Sequence, residues 1–403
     1  MLAAREARTP PVMVGASRGI GFVGTGELAG ANAVYLTIHG DCANFSVKEP
    51  YTPSPPDFGA SKMLRSLTRR SPRRRLLLES LERREVLAGN VTASVVGATL
   101  TLKGDGADNS LAIVALGNNR FTVTGLNTTI NGSTAAFSPN QSIFNITGNL
   151  GGGNDNLGLT NNAQGLDTLA TSAGLDLEAT TGLTVAQMQA RIDAVTTVNT
   201  FALSGSLTVQ GGAGNDLIGI VGNVAGSVIA DLGSANAAGG NALGIDGTTV
   251  AGGVASVGGV LSVTGGSQVD GLILQNAKIG GSVIANLGAG NDSLKIDNAQ
   301  IRAALSALLG NGNDQLDIDG LDALSATILA GAGEDVLTID DAHIDVCYAN
   351  LGAGNDTATL TQSSGKVATI DGSRGTDRLN IDNVTLAAIA HLFKLGLETE
   401  QVI

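Results

Sequence analysis

The stretch Gly288-Ala289-Gly290-Asn291-Asp292 recurs with small changes at 310–314, 331–335 and 352–356, and as GSRGTD at 372–377. Its aspartates stand 22, 21, 21 and 21 residues apart. Looser copies come earlier and end at Asp155, Asp216 and Asp270. In a degenerate copy Asn241 takes the place of Asp, and GDGADNSLAI at 104–113 reads as a first, capping version. A fixed period of this length marks a repeat architecture, in which each unit buries its apolar face only against its neighbours.

What each unit is follows from the residues after the motif. Positions +2 and +4 from each Asp are apolar: Leu294 and Ile296, Leu316 and Ile318, Leu337 and Ile339, Leu379 and Ile381. Alternation of period two is a strand with one face turned inward. At +6 stand Asn276, Asn298, Gly320, Asp341 and Asn383, residue types that tolerate a left-handed backbone, with Gln362 the exception. A tight corner belongs there. Beyond it Ile279, Ile301, Ile344 and Leu386 open a second inward face, and GSVIADLG at 226–233 and GSVIANLG at 281–288 lead into the next motif. One repeat is then three short strands and three corners, returning each strand parallel to itself beside its equivalent in the next coil. The predicted fold is all-β, a right-handed parallel β-helix of about 21-residue coils. Helical repeats are set aside, because glycine at two of every five motif positions costs about 1 kcal/mol each inside a helix.

Two places break the pattern. TVAQMQARIDAV at 184–195 has helical spacing and lies in the gap between Asp155 and Asp216, so a lateral helical excursion is expected near 184–195. Residues 386–395, closed by Gly396 with Lys394 near the end, read as a C-terminal capping helix. The organisation is an N-terminal β cap and first coils over 90–150, repeats over 151–384 and a cap over 385–403.

Composition agrees with a solenoid: 57 of 403 residues are Gly and only 3% are aromatic, which suits thin stacked layers better than a compact globule. Charge is uneven. Residues 63–84 hold eight Arg, whereas residues 89–403 hold ten basic against twenty-eight acidic side chains, a formal −18. So acidic a body argues against nucleic acid as a partner and for hard cations. No run of eighteen apolar residues exists to span a membrane. Cys42 and Cys347 cannot define a disulfide framework.

Ahead of the repeats, residues 1–62 end in the turn-rich YTPSPPDFG, and Met63 opens an Arg-rich segment, 63–89, that looks like a natural start. Residues 1–62 then read as a largely unstructured upstream extension. Within them GASRGIG at 15–21 and FGASK at 58–62 mimic a dehydrogenase, but the spacing between them is too short for that fold and Phe58 stands where its tyrosine is needed. Leu81, Glu82, Arg84, Val86 and Leu87 resemble the LEPR-XLL motif of large planctomycete extracellular repeat proteins, with Arg83 in place of the Pro. That resemblance implies export to the cell surface or beyond.

GGAGNDLIG at 211–219 satisfies the GGxGxDxUx nonapeptide and so resembles RTX-type calcium-binding repeats. Elsewhere Leu287, Leu309, Leu351 or Ala330 replaces the first Gly. Glycines aim corner carbonyls, and Asp supplies an anionic oxygen of the kind calcium takes six to eight of. Charges stacked about 4.8 Å apart would repel by about 0.9 kcal/mol in water, or about 3.5 at an effective dielectric of about 20, unless an ion neutralises them. The candidate metal ligands are Asp155, Asp216, Asp292, Asp314, Asp335, Asp356 and Asp377. The plain alternative is that these residues only make good turns, with carboxylates fanned into solvent. The expected function is that of an exported, calcium-stabilised structural or adhesive protein, with cell-surface polysaccharide or other extracellular proteins as partners. The rival is a polysaccharide lyase or hydrolase using the row Asp297, Asp319, Asp340 and Asp382, against which stands the scarcity of aromatics: no Trp, and only Tyr348 as a tyrosine after residue 89.

Overall fold

The computed structural model describes residues 89–403 apart from 196–199, 235–238 and 251, and the backbone but not the side chain of Leu386. The chain divides into units Met1–Ser80 and Leu81–Ile403, and every described residue lies in the second. The expectations for the extension, the Arg-rich segment and the Leu81 to Leu87 motif fall outside the described residues.

Alternation after each Asp becomes a ladder of parallel strands wound into a parallel β-helix of about nine coils. Leu272, Leu294, Leu316 and Leu337 pair in register, and so do Leu274, Ile296, Ile318 and Ile339 two positions on. All eight are buried. A third inward row, Ile279, Ile301, Ala323 and Ile344, follows the second corner. Cys347 closes the account of inward positions, in register with Ala326 and Ala368 and 6% exposed. It packs as a small apolar residue, and burial pushes its thiol up to about 12.

Strands Ser293–Asn311 and Gln315–Ala332 run through nearly a whole coil each. Their register slips once, between Ile301 and Ala304, where the first strand carries one extra residue. This bulge takes the coil spacing from the 22 residues that separate Asp270, Asp292 and Asp314 to the 21 of the later coils. The corner at +6 is left-handed as expected, with φ of 47° at Asn276, 53° at Asn298, 68° at Gly320 and 46° at Asp341. Gln362 follows them at 50° in spite of its side chain. Asn383 does not, because it opens a helix, α4 (Asn383–Ala388), capped by the Asp382 side chain.

At the N-terminal end the chain covers its own edge. Strands Asn90–Val96 and Thr99–Lys103 pair antiparallel, as do Ser110–Gly117 and Arg120–Gly125 across Asn118 and Asn119, both at positive φ. Paired asparagines at positive φ make the tight hairpin turn whose twist matches its strands.

The lateral excursion is larger than its sequence signature. Helix α3 (Val185–Asp193) carries the helical spacing and a capping box between Thr184 and Gln187, but α1 (Ala163–Ser172) and α2 (Leu177–Thr181) precede it. Glycines make the landing site. Gly158, Gly219 and Gly244 stack in register at an outward position. A Cβ at Gly219 would come within 2.3 Å of Leu166, and one at Gly244 within 2.5 Å of Leu169. Helix α1 therefore rests directly on three coils, burying Leu166, Ala170, Met188 and Ile192 in a second apolar cluster.

The capping helix expected over 386–395 is corrected in part. Only the segment through Ala388 is helical, and strand Ile389–Leu395 adds itself in parallel to Gly365–Asp371. A short apolar run reads equally as strand or helix, and here the unpaired sheet edge decides.

Candidate functional site

The repeated Asp closes a corner where the strand ladder is interrupted, so its own N–H needs an acceptor. The next coil supplies one. The N–H of Asp292 donates to Oδ1 of Asp314 at 2.7 Å, that of Asp314 to Asp335 at 2.8 Å, that of Asp335 to Asp356 at 2.8 Å and that of Asp356 to Asp377 at 2.9 Å. Each Asp side chain thus reaches back to the preceding coil. The neighbouring Asn reaches forward: Oδ1 of Asn291 accepts from Asn313 N–H at 2.9 Å, and Oδ1 of Asn313 from Glu334 N–H at 2.9 Å. Where both residues are present, the Asn-Asp pair therefore ties its coil to both neighbours.

The same column runs through the irregular coils. Asp155 N–H donates to Asp216 at 2.9 Å, Asp216 N–H to Asn241 Oδ1 at 2.9 Å, and Asn241 Nδ2 to Asp270 at 3.1 Å. Asn241 does serve in the place of Asp. Three rungs were not among the sequence candidates. Asp270 belongs to the column and receives Gly266 N–H on its second oxygen. Glu398 accepts from Asp377 N–H at 2.6 Å. Its position, 21 residues after Asp377, was the available signal. At the opening end Asn109 donates to Asp155 while Asp108 accepts from Asn154, so Asp108-Asn109 performs the pair's work with the two residues exchanged.

The alternative of carboxylates fanned into solvent is overturned: Asp155, Asp216, Asp270, Asp292, Asp314, Asp335, Asp356 and Asp377 are all buried. All seven sequence candidates lie in one column. Each of the seven leaves Oδ2 buried without a hydrogen-bond partner. Burial, ahead of the neighbouring charges, raises Asp155 to about 8, Asp292 to about 7, and Asp216, Asp335 and Asp356 to about 6, against the lowering effect of the backbone N–H each accepts. Asp270, Asp314 and Asp377 are raised for the same first reason. A buried carboxyl oxygen with no partner must hold a proton or meet a cation.

The fit of a cation differs between corners. A Cβ placed on Gly211 would lie 2.7 Å from Asp216 Oδ2 and 2.5 Å from the Leu232 carbonyl oxygen. On Gly372 it would lie 2.6 Å from Asp377 Oδ2 and 2.5 Å from the Gly396 carbonyl. Glycine thus keeps a cradle beside one carboxylate and one carbonyl oxygen, the hard donors that calcium takes. Leu287, Leu309, Ala330 and Leu351 occupy the equivalent position in the regular coils as buried core residues. Among the described residues no three His, Cys, Asp or Glu side chains gather as a metal cluster, so backbone carbonyls would have to complete any coordination.

The acidic row on the outer surface pairs as Asp297, Asp319 and Asp340, then passes to Thr361. Asp382 leaves it to cap α4, and its hydrogen bonds from Thr385 hold its carboxyl below the usual range.

No helix among the described residues is long and apolar enough to cross a membrane. No curated protein and no solved structure matches the chain. A family model described as Planctomycete extracellular matches residues 72–91, overlapping the stretch from Leu81 to Leu87, and with the β-solenoid it fits an extracellular structural protein.

Proposed function

We propose that the protein is exported and acts without catalysis, as a structural or adhesive solenoid whose corners are neutralised by calcium in the manner of RTX-type repeats. The observation that carries this reading is the column of seven buried Oδ2 atoms without partners. Stacked carboxyls of this kind are costly in a metal-free chain at neutral pH, and calcium outside the cell would remove that cost while leaving the N–H to Oδ1 ladder in place. The corners at Gly211 with Asp216 and Gly372 with Asp377 have the open cradle and are the first to load. Polysaccharide of the cell surface or other extracellular proteins are the partners such a solenoid would engage along its flanks.

Thermal unfolding of the full chain in calcium, in magnesium and in chelator tests this. A ligand present at about 100 times its dissociation constant stabilises by about 2.7 kcal/mol per site. A clear rise in Tm with calcium alone is expected. Identical unfolding in all three would discard calcium and leave the fold standing.

A further inference from the structure

Opposite in character to the acidic corners is the sheet formed by the strand leading into each motif. Its outward row runs in register through eleven strands, from Thr101 by way of Thr208, Ile284, Thr327 and Tyr348 to Phe393. Threonine, serine, isoleucine, tyrosine and phenylalanine fill it, and no position carries a charge. The companion row two residues on has just three charged positions, Lys103, Asp231 and Asp371. This is the face where exposed apolar side chains gather: Ile229 is 50% exposed, Ile284 43%, Tyr348 37% and Phe393 54%, with Leu308 and Leu329 beside them.

We infer that this face is an interface between two copies of the chain, packed face to face with their solenoid axes antiparallel. Three arguments select a second copy. Residues 89–403 carry a formal −18, so two chains repel wherever their charges meet, and a nearly uncharged face is where they can approach with the fewest carboxylates buried. Its size suits a stable dimer: eleven strands at about 4.8 Å by about 13 Å along the strands give about 700 Å² a side, or about 1,400 Å² in all, inside the usual range of about 1,200–2,000 Å². The sparse charges choose the orientation. With the axes antiparallel, the coil of Lys103 at one end lies over the last coils of the second copy, beside its Asp371, and the two-fold repeats this contact at the other end. Parallel axes would instead leave Lys103 at the far end from Asp371 and set Asp231 and Asp371 level with their own copies. Beta-branched and hydroxyl side chains on both sheets can then interdigitate across about 10 Å, as stacked sheets do. None of this depends on calcium.

Sedimentation equilibrium of the full chain, with and without calcium, tests the inference. The parent is expected to be a dimer, and Ile284→Lys should weaken association more than about a hundredfold, because the middle strand faces its own copy across the two-fold and two like charges would be buried together, whereas Thr327→Lys, facing the strand of the second copy's Asp231, should weaken it less. Thr359→Lys, on a different face, should leave association unchanged, and the circular dichroism spectra of all variants should match the parent because every substituted side chain points outward. Lys103→Glu should weaken the dimer and Asp371→Lys in the same chain should restore it. A parent that stays monomeric at about 100 µM overturns the inference. So does a dimer indifferent to both lysines, and a monomer that sediments with insoluble uncharged polysaccharide through Ile284 and Thr327 would assign the face to a glycan instead. Failure of the charge-swap rescue alone would overturn the antiparallel arrangement.

Discussion

Two of the corners in each regular coil solve the same geometric problem by different means. At the +6 corner the backbone needs only a positive φ, and Asn276, Asn298, Gly320, Asp341 and Gln362 all supply it. A Cβ on Gly320 would find its nearest neighbour 3.3 Å away, so a side chain there asks its neighbour to move by only a few tenths of an ångström. At the motif corner the coils close to contact. A Cβ on Gly312 would fall 1.6 Å from the Gly290 carbonyl oxygen, and the Asn and Asp beyond it carry hydrogen bonds in opposite directions along the stack. One corner asks for a conformation; the other asks for particular atoms. The diversity of residues at +6 and the near-invariance of glycine at the motif corner follow from that difference.

The hardest test of this contrast is Gly312→Ala. Overlap with the Gly290 carbonyl adds to the strain of φ 137°, and the substitution should cost more than about 3 kcal/mol, enough to prevent folding. Thermal unfolding and soluble yield would show it, and a cost below about 1 kcal/mol would mean the coils are not stacked this closely.

Next in size is the response to pH in chelator. The column carboxyls that stand at about 6 to 8 in the folded chain would titrate near 4 once unfolded. Because the folded pKa values are the higher ones, the folded state binds more protons, and the stability this confers is complete below about pH 4 and lost as pH rises through about 6 to 8. The metal-free protein should therefore melt higher at pH 5 than at pH 8. Asp335→Asn should flatten part of that slope, since an amide oxygen still accepts from Asp314 N–H, as Asn241 does from Asp216. A pH-independent Tm would show that the second oxygens have found other partners.

The smallest expected effect is at the permissive corner. Asn298→Gly should be nearly neutral, whereas Asn298→Val should cost about 1–2 kcal/mol because a β-branched residue resists φ 53°. Chemical denaturation of both variants would measure the gap, and equal effects would remove the left-handed corner as the reason for Asn.

The fold was legible because its causes are periodic. Leu294 and Ile296 announce an inward strand face, the next Asp fixes the coil length, and Val185 to Asp193 shows its helical spacing whatever surrounds it. Helices α1 and α2 were harder to see, since what seats α1 is a column of glycines, Gly158, Gly219 and Gly244, drawn from three coils 61 and 25 residues apart. The candidate aspartates were also legible as a set. Their orientation was not.

By itself the sequence determined the period, the inward positions and the corners, because each depends on neighbours a few residues away along one strand or turn. Tertiary structure decided that the carboxylates turn inward to the N–H of the preceding coil, that Glu398 completes their column, and that the uncharged positions from Thr101 to Phe393 fall on one face. Those outcomes depend on register between coils some 21 residues apart, and register is set only when apolar rows, bulge and corners are all satisfied at once.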